Sequence, residues 1–97
     1  MRSLLLEVDV PDFINSLNPK QAKQVVGKIF ELLSDVHPSN SEPLKAYKPC
    51  FRLRSGDYRV IYTYNQNEVR VLHVGCRNDD DVYESFDRKY RNLLSVK

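Results

Sequence analysis

The chain has 97 residues, 41% of them hydrophobic and 29% charged, ordinary globular values that suit one small domain and do not suggest disorder. No apolar run approaches the ~20 residues of a membrane helix, and the apolar start, Met1 to Val10, is broken by Glu7 and Asp9, unlike a signal peptide. The net charge is +2, but residues 45–77 carry net +5 against −2 for residues 1–44 and −1 for residues 78–97. The expectation is a single cytoplasmic domain over 1–97, without membrane contact, whose middle third offers a surface for phosphates. Solvated outer faces of strands are the commoner cause of such a basic run, so position along the strands has to decide.

Residues 2–10 are rich in Leu and Val and suit a strand, with Pro11 ending it. Asp12 to Leu17 suit a short helix. Asn18 and Pro19 read as a helix cap followed by a first-turn proline. Ala22, Val25, Val26, Ile29, Leu32, Leu33 and Val36 then form one apolar stripe, so a core-facing helix is expected over 19–35. His37 to Pro43, with two prolines and two serines, is expected to be a loop.

From Cys50 to Arg54, apolar and basic residues alternate, as in a half-buried strand. Ser55, Gly56 and Asp57 make a turn. Tyr58 to Tyr64 is aromatic and β-branched, a strong strand. Residues 65–67 turn again, and Glu68 to Val74 reads as a third strand of an antiparallel meander. Asp79, Asp80 and Asp81 precede a last helix with Phe86, Tyr90 and Leu93 or Leu94 on its apolar side. The class is α+β: a small twisted antiparallel sheet, made of the N-terminal strand plus a three-strand meander. One or two N-terminal helices cover one face, and a C-terminal helix follows. The other face is expected to stay open, with Arg52, Arg54, Arg59 and Arg77 converging on it.

Cys50 and Cys76 are too few for a disulfide scaffold and form no CxxC pair, so two free thiols are expected. His37 and His73 belong to no zinc-binding spacing, and no metal or cofactor is expected. Tyr58, Tyr62 and Tyr64 share one strand face by parity and suit packing better than RNA stacking.

Leu44 and Lys45, the block Phe51 to Tyr62, Val74-Gly75-Cys76-Arg77, and Val82-Tyr83 together resemble the RelE/ParE toxin superfamily of type II toxin–antitoxin systems. Arg77 followed six residues later by Tyr83 resembles the RelE branch, whose members cleave mRNA on the ribosome. The resemblance implies a metal-independent endoribonuclease (mRNA interferase), in which the 2′-hydroxyl attacks the neighbouring phosphate to leave a 2′,3′-cyclic phosphate. It assigns Arg59 and Arg77 to phosphate charge, a task that suits the guanidinium fork. Tyr83 takes the nucleotide-orienting role, and Arg52 stands where the family often has Lys. Lys45, Lys48 and Arg54 are the further candidates for RNA binding.

Well-studied members carry two lysines in the strand before the turn, where this chain has Cys50 and Arg52. Arginine, with a pKa above ~12, is a poor base. Three routes stay open: Lys45 or Lys48 reaches the site, charge stabilisation dominates with water taking the proton, or the nuclease is weak. The implied partners are a cognate antitoxin, RelB-like or of another type II class, together with mRNA and the ribosome; DNA is met only through the antitoxin complex. The alternatives are a ParE-like inhibitor of DNA gyrase without nuclease activity and a catalytically weak antitoxin-binding module.

Overall fold

The computed structural model describes residues 2–76, 86–88, 90 and 91. The first strand, β1 (Ser3–Leu6), is followed by helices α1 (Asp9–Asn15) and α2 (Pro19–Glu31). A short strand β2 (Ser41–Pro43) and a 3-10 turn (Lys45–Tyr47) lead into β3 (Phe51–Ser55), β4 (Tyr58–Tyr64) and β5 (Glu68–Cys76). The five strands form one sheet in the order β1-β5-β4-β3-β2. Residues 86–88, 90 and 91 are helical, as expected of the last helix; Leu93 and Leu94 lie outside the described residues.

The sheet is mixed rather than wholly antiparallel, because β1 runs parallel to β5, with Ser3 opposite Glu68 and Leu6 opposite Val71. A parallel pair needs a long crossover, and the helices and the meander between the two strands provide it. The expected loop over 37–43 also contains an edge strand: β2 pairs antiparallel with β3, Glu42 opposite Arg52. Three residues are too few for an alternation pattern to register in the sequence.

The N-terminal apolar run divides differently from expectation. The strand stops at Leu6, and Pro11 is the third residue of α1 instead of a strand terminator. Proline is tolerated there because a first-turn N–H has no helical partner. The arrangement turns Val10 and Ile14, four residues apart, into the core. In α2 the Asn18 side chain accepts from the Gln21 N–H at 2.9 Å, with Pro19 next in the chain. The helix is shorter than the expected 19–35 span: after Glu31 the backbone tightens, and Leu32 and Leu33 donate to carbonyls three residues back. Leu32 nonetheless stays buried.

The main core lies between the helices and the sheet. Val25, Ile29 and Leu32 meet Leu53, Val60, Tyr62, Val69, Val71 and Val74. Tyr58, Tyr62 and Tyr64 all belong to this side. The Tyr62 hydroxyl donates to the Val36 carbonyl at 2.6 Å, and Tyr58 donates to Gln21 at 3.0 Å. Packing is therefore their role, as their shared parity suggested.

The β3–β4 connection is a two-residue turn, Gly56-Asp57, with Gly56 at φ +57°. Glycine at the first central position is the pattern of a type II′ hairpin. A Cβ there would also come within 3.3 Å of the Gln24 side chain. Replacing Asn18 by Ala removes the α2 cap and is expected to lower stability by about 1 kcal/mol; the urea unfolding midpoint measures it.

Candidate active site

Alternation along β3 and β4 sends Leu53 and Val60 to the helices and Arg52, Arg54, Arg59 and Ile61 to the outer face. Arg54 and Arg59 are directly opposite in the β3–β4 register, and Arg59 in turn faces Gly75 of β5. Arg54 is exposed and Arg59 half-buried. The Arg59 guanidinium donates to the Gly56 and Tyr58 carbonyls at 3.1 and 2.9 Å, so it is folded back against the hairpin turn. Like charges directly across a ladder disfavour the pairing, and an anion between them reverses the sign. Gly75 leaves the β5 position beside Arg59 without a side chain.

Arg52 is held differently. It forms an ion pair with Glu42, its register partner on β2. Nothing in the sequence flagged Glu42, because the pairing depends on an edge strand hidden within a proline-containing loop.

A bulge shapes the middle of the outer face. Ile61 pairs with His73 and Tyr62 with Val71, leaving Leu72 as the additional residue. Leu72 thereby joins a second apolar cluster with Cys50, Ile61 and Phe86, flanked by Leu44, Tyr47 and Tyr90. The outer face is thus not open throughout: Phe86 is completely buried on it. A C-terminal aromatic covers the centre, because Ile61 and Leu72 would otherwise be solvated. Among the described residues, the arginine-bearing end is left uncovered.

The helical segment around Phe86 is pinned to the turn before β3. Tyr47 meets the rings of Phe86 and Tyr90 edge-on, each at 5.2 Å. The Tyr47 hydroxyl donates to Asp87 at 3.0 Å, and Tyr90 donates to the Lys48 carbonyl at 3.0 Å. Burial first, then the hydrogen bond to Asp87, raises the Tyr47 phenol above its ordinary pKa and keeps it a donor. Asp87 is also paired with Arg91 at 2.8 Å. Tyr47 and Asp87 carried no sequence signal of their own; only the four-residue spacing of Phe86 and Tyr90 did.

Burial pushes the Cys50 thiol up to about 11. At neutral pH it is a neutral, packed side chain, unsuited to act as a base or nucleophile. Lys45 and Lys48 are both exposed on the turn leading to β3. They flank a cleft lined by Pro43, Leu44, Pro49, Cys50 and Phe51. Arg77 and Tyr83 lie outside the described residues; Arg77 directly follows Cys76, the last residue of β5.

The sequence matches the family model of the ParE toxin of type II toxin–antitoxin systems over residues 8–81. The chain belongs to the ParE toxin family. It is a type II toxin of the RelE/ParE superfamily, and its fold agrees with solved members. An archaeal RelE from the RelE–RelB complex of Pyrococcus horikoshii superposes with a TM-score of 0.69 at 22% identity, covering 78% of this chain and 94% of that one. An arginine-to-alanine double mutant of Escherichia coli RelE in the free state gives a TM-score of 0.72 at 22% identity, covering 91% and 96%. Curated proteins give no sequence match. Among the described residues of this toxin no helix is long and apolar enough to cross a membrane.

Two measurements follow from this geometry. Arg54→Gln relieves the arginine opposition and is expected to stabilise the toxin by a few tenths to about 1 kcal/mol at low salt. Added phosphate should stabilise the wild type more than the variant in thermal melts. For Cys50, the folded state holds the thiol proton more tightly than the unfolded chain. The linked stability is therefore full below the ordinary thiol pKa of 9.0 and is lost as pH rises from there towards about 11. Urea titrations between pH 8.5 and 10.5 should show the wild type losing stability more steeply than Cys50→Val.

Proposed function

We propose that this toxin is a metal-independent endoribonuclease that cleaves mRNA, acting in the cytoplasm at the ribosome. The observation that carries the reading is the cross-strand pair Arg54 and Arg59 on an outward sheet face. Two arginines paired in register on one hairpin suit the negative charge of a phosphorane. Arg77 and Tyr83, by resemblance, add a second phosphate contact and a surface that orients the nucleotide.

In the reaction the 2′-oxygen forms a bond to phosphorus while the bond from phosphorus to the 5′-oxygen breaks. The 2′-hydroxyl proton leaves to a base, and the departing 5′-oxygen takes one up. Cys50 is neutral at working pH, and Arg52 is engaged by Glu42. Water is thus the proton acceptor that fits these residues, and charge stabilisation by arginine dominates the rate. An antitoxin of RelB-like or related type II class is the proposed partner. Phe30 on α2, 54% exposed, and Val8, 91% exposed, are apolar surface for such a partner to cover.

The second reading is inhibition of DNA gyrase without RNA chemistry. It is favoured by the same two positions: where related nucleases carry lysines, this toxin has a buried thiol and an ion-paired arginine.

Expression from a tight promoter, followed by primer extension on cellular mRNA, separates the two. The nuclease reading expects new 5′ ends inside translated reading frames. It also expects Arg59→Ala, and likewise Arg77→Ala, to reduce cleavage by about 10²-fold or more with the fold retained. Growth arrest with intact mRNA and a DNA-damage response would move the assignment to gyrase.

A further inference from the structure

We propose that the cleft beneath Lys45 and Lys48 is a nucleotide subsite of single-stranded RNA, one base entering the apolar slot while the two lysines hold the adjoining phosphates. This inference rests on the nuclease reading and extends it to a second contact region on the substrate.

The slot measures about 420 Å³ and is lined by Pro43, Leu44, Lys45, Lys48, Pro49, Cys50 and Phe51. That volume falls within the roughly 300–1,000 Å³ of small-molecule sites. Its lining is chemically divided. Two prolines, a leucine, a phenylalanine and a neutral thiol form the walls, and the charged groups among its described residues are two ammoniums. Among the described residues no carboxylate lines it. Of the acidic residues described nearby, Glu42 is paired with Arg52, and Asp87, which Tyr47 holds against this turn, is paired with Arg91. An apolar slot with a cationic rim matches a nucleotide, whose base is flat and poorly solvated and whose phosphates are anionic.

The slot is preformed. The Leu44 N–H donates to the Cys50 carbonyl at 2.9 Å, Tyr47 to the Leu44 carbonyl at 3.0 Å, and Cys50 to the Tyr47 carbonyl at 2.8 Å. Three backbone bonds thus close the turn on itself, and the Tyr90 hydroxyl braces it from outside through the Lys48 carbonyl. Little ordering is left for the ligand to bring about. The slot lies at the start of the strand that carries Arg54. β3 starts at Phe51, and a strand rise of about 3.3 Å per residue carries Arg54 about 10 Å further on. A short extended RNA spans that interval, with one base in the slot and a downstream phosphate between Arg54 and Arg59.

The test is fluorescence anisotropy of the full chain with a labelled hexaribonucleotide, and with the same oligomer carrying abasic riboses, across a range of salt. Lys45→Gln/Lys48→Gln alters only exposed side chains. It is expected to weaken binding about tenfold and to flatten the log–log salt dependence by about 1.4, the value for two single-strand phosphate contacts. Leu44→Ala is expected to weaken binding of the normal oligomer about fivefold or more but to bind the abasic oligomer as the wild type does, with thermal melts reporting its fold. An unchanged salt slope in the lysine variant overturns the proposal. So does an equal loss by Leu44→Ala on both oligomers, which would leave the cleft to a protein partner. If mRNA is cut in cells but the lysine variant binds and cuts normally, only the subsite falls. If the wild type binds no RNA and cuts none, the nuclease reading falls with it.

Discussion

The packing of β4 between β3 and β5 is the constraint from which the rest of this toxin is arranged. Val60, Ile61 and Tyr62 in the middle of β4 are fully buried, so the strand is covered on both sides and its register cannot slip. A one-residue slip would exchange every inward and outward side chain. It would put Arg59 under the helices and Tyr62 in water. Holding that register is what sets Arg59 opposite Arg54 and beside Gly75. The bulge at Leu72 then repairs the one place where two cores of different shape must be served by a single strand. Val71 and Val74 stay with the helices, while Leu72 meets Phe86 on the outer side.

The outer face therefore has two regimes a few residues apart. Its centre is an apolar patch closed by Phe86, Tyr47 and Tyr90. Its hairpin end holds two arginines directly opposite in the ladder. Such opposition persists in a folded protein when the rest of the sheet is strong enough to hold it, and it costs least when an anion is bound. The position of Arg52 fits the same logic. An edge carboxylate, Glu42, discharges it, so that positive charge is concentrated towards Arg54 and Arg59 and not spread evenly along β3.

The parts of the fold written in strong periodic patterns were legible from the sequence. The α2 stripe, its Asn18 cap, the turn at Gly56 and the aromatic run of β4 all combine local preference with burial on one side. Less was legible where tertiary pairing chose among weak local options. β2 has three residues, one of them proline, and exists because β3 offers it an edge. Leu4 and Val10 belong to one Leu- and Val-rich run, and only packing decides that Leu4 lies on a strand and Val10 in a helix. The parallel direction of β1 likewise has no local signature. Within the candidate site, the outward direction of Arg52, Arg54 and Arg59 followed from alternation. The Glu42 ion pair and the Tyr47–Asp87 contact did not, since each joins residues that meet only after the sheet has formed. Arg77 and Tyr83 rest on family resemblance and on their place in the chain.

The parallel β1–β5 pair has a consequence for when this toxin becomes one. Ser3 has no partner until Glu68 exists, and Leu4 no surface until Val69 does. Contacts this distant in sequence form late, because a long loop must close before they bring any return. During synthesis the early residues leave the ribosome first and wait, with their strand unmatched and the arginine-bearing hairpin not yet assembled. The sheet is completed only when about three-quarters of the polypeptide has emerged. A cell that makes this chain thus has an interval in which the molecule is still harmless. A partner already present in that interval meets a sheet edge that nothing has yet filled.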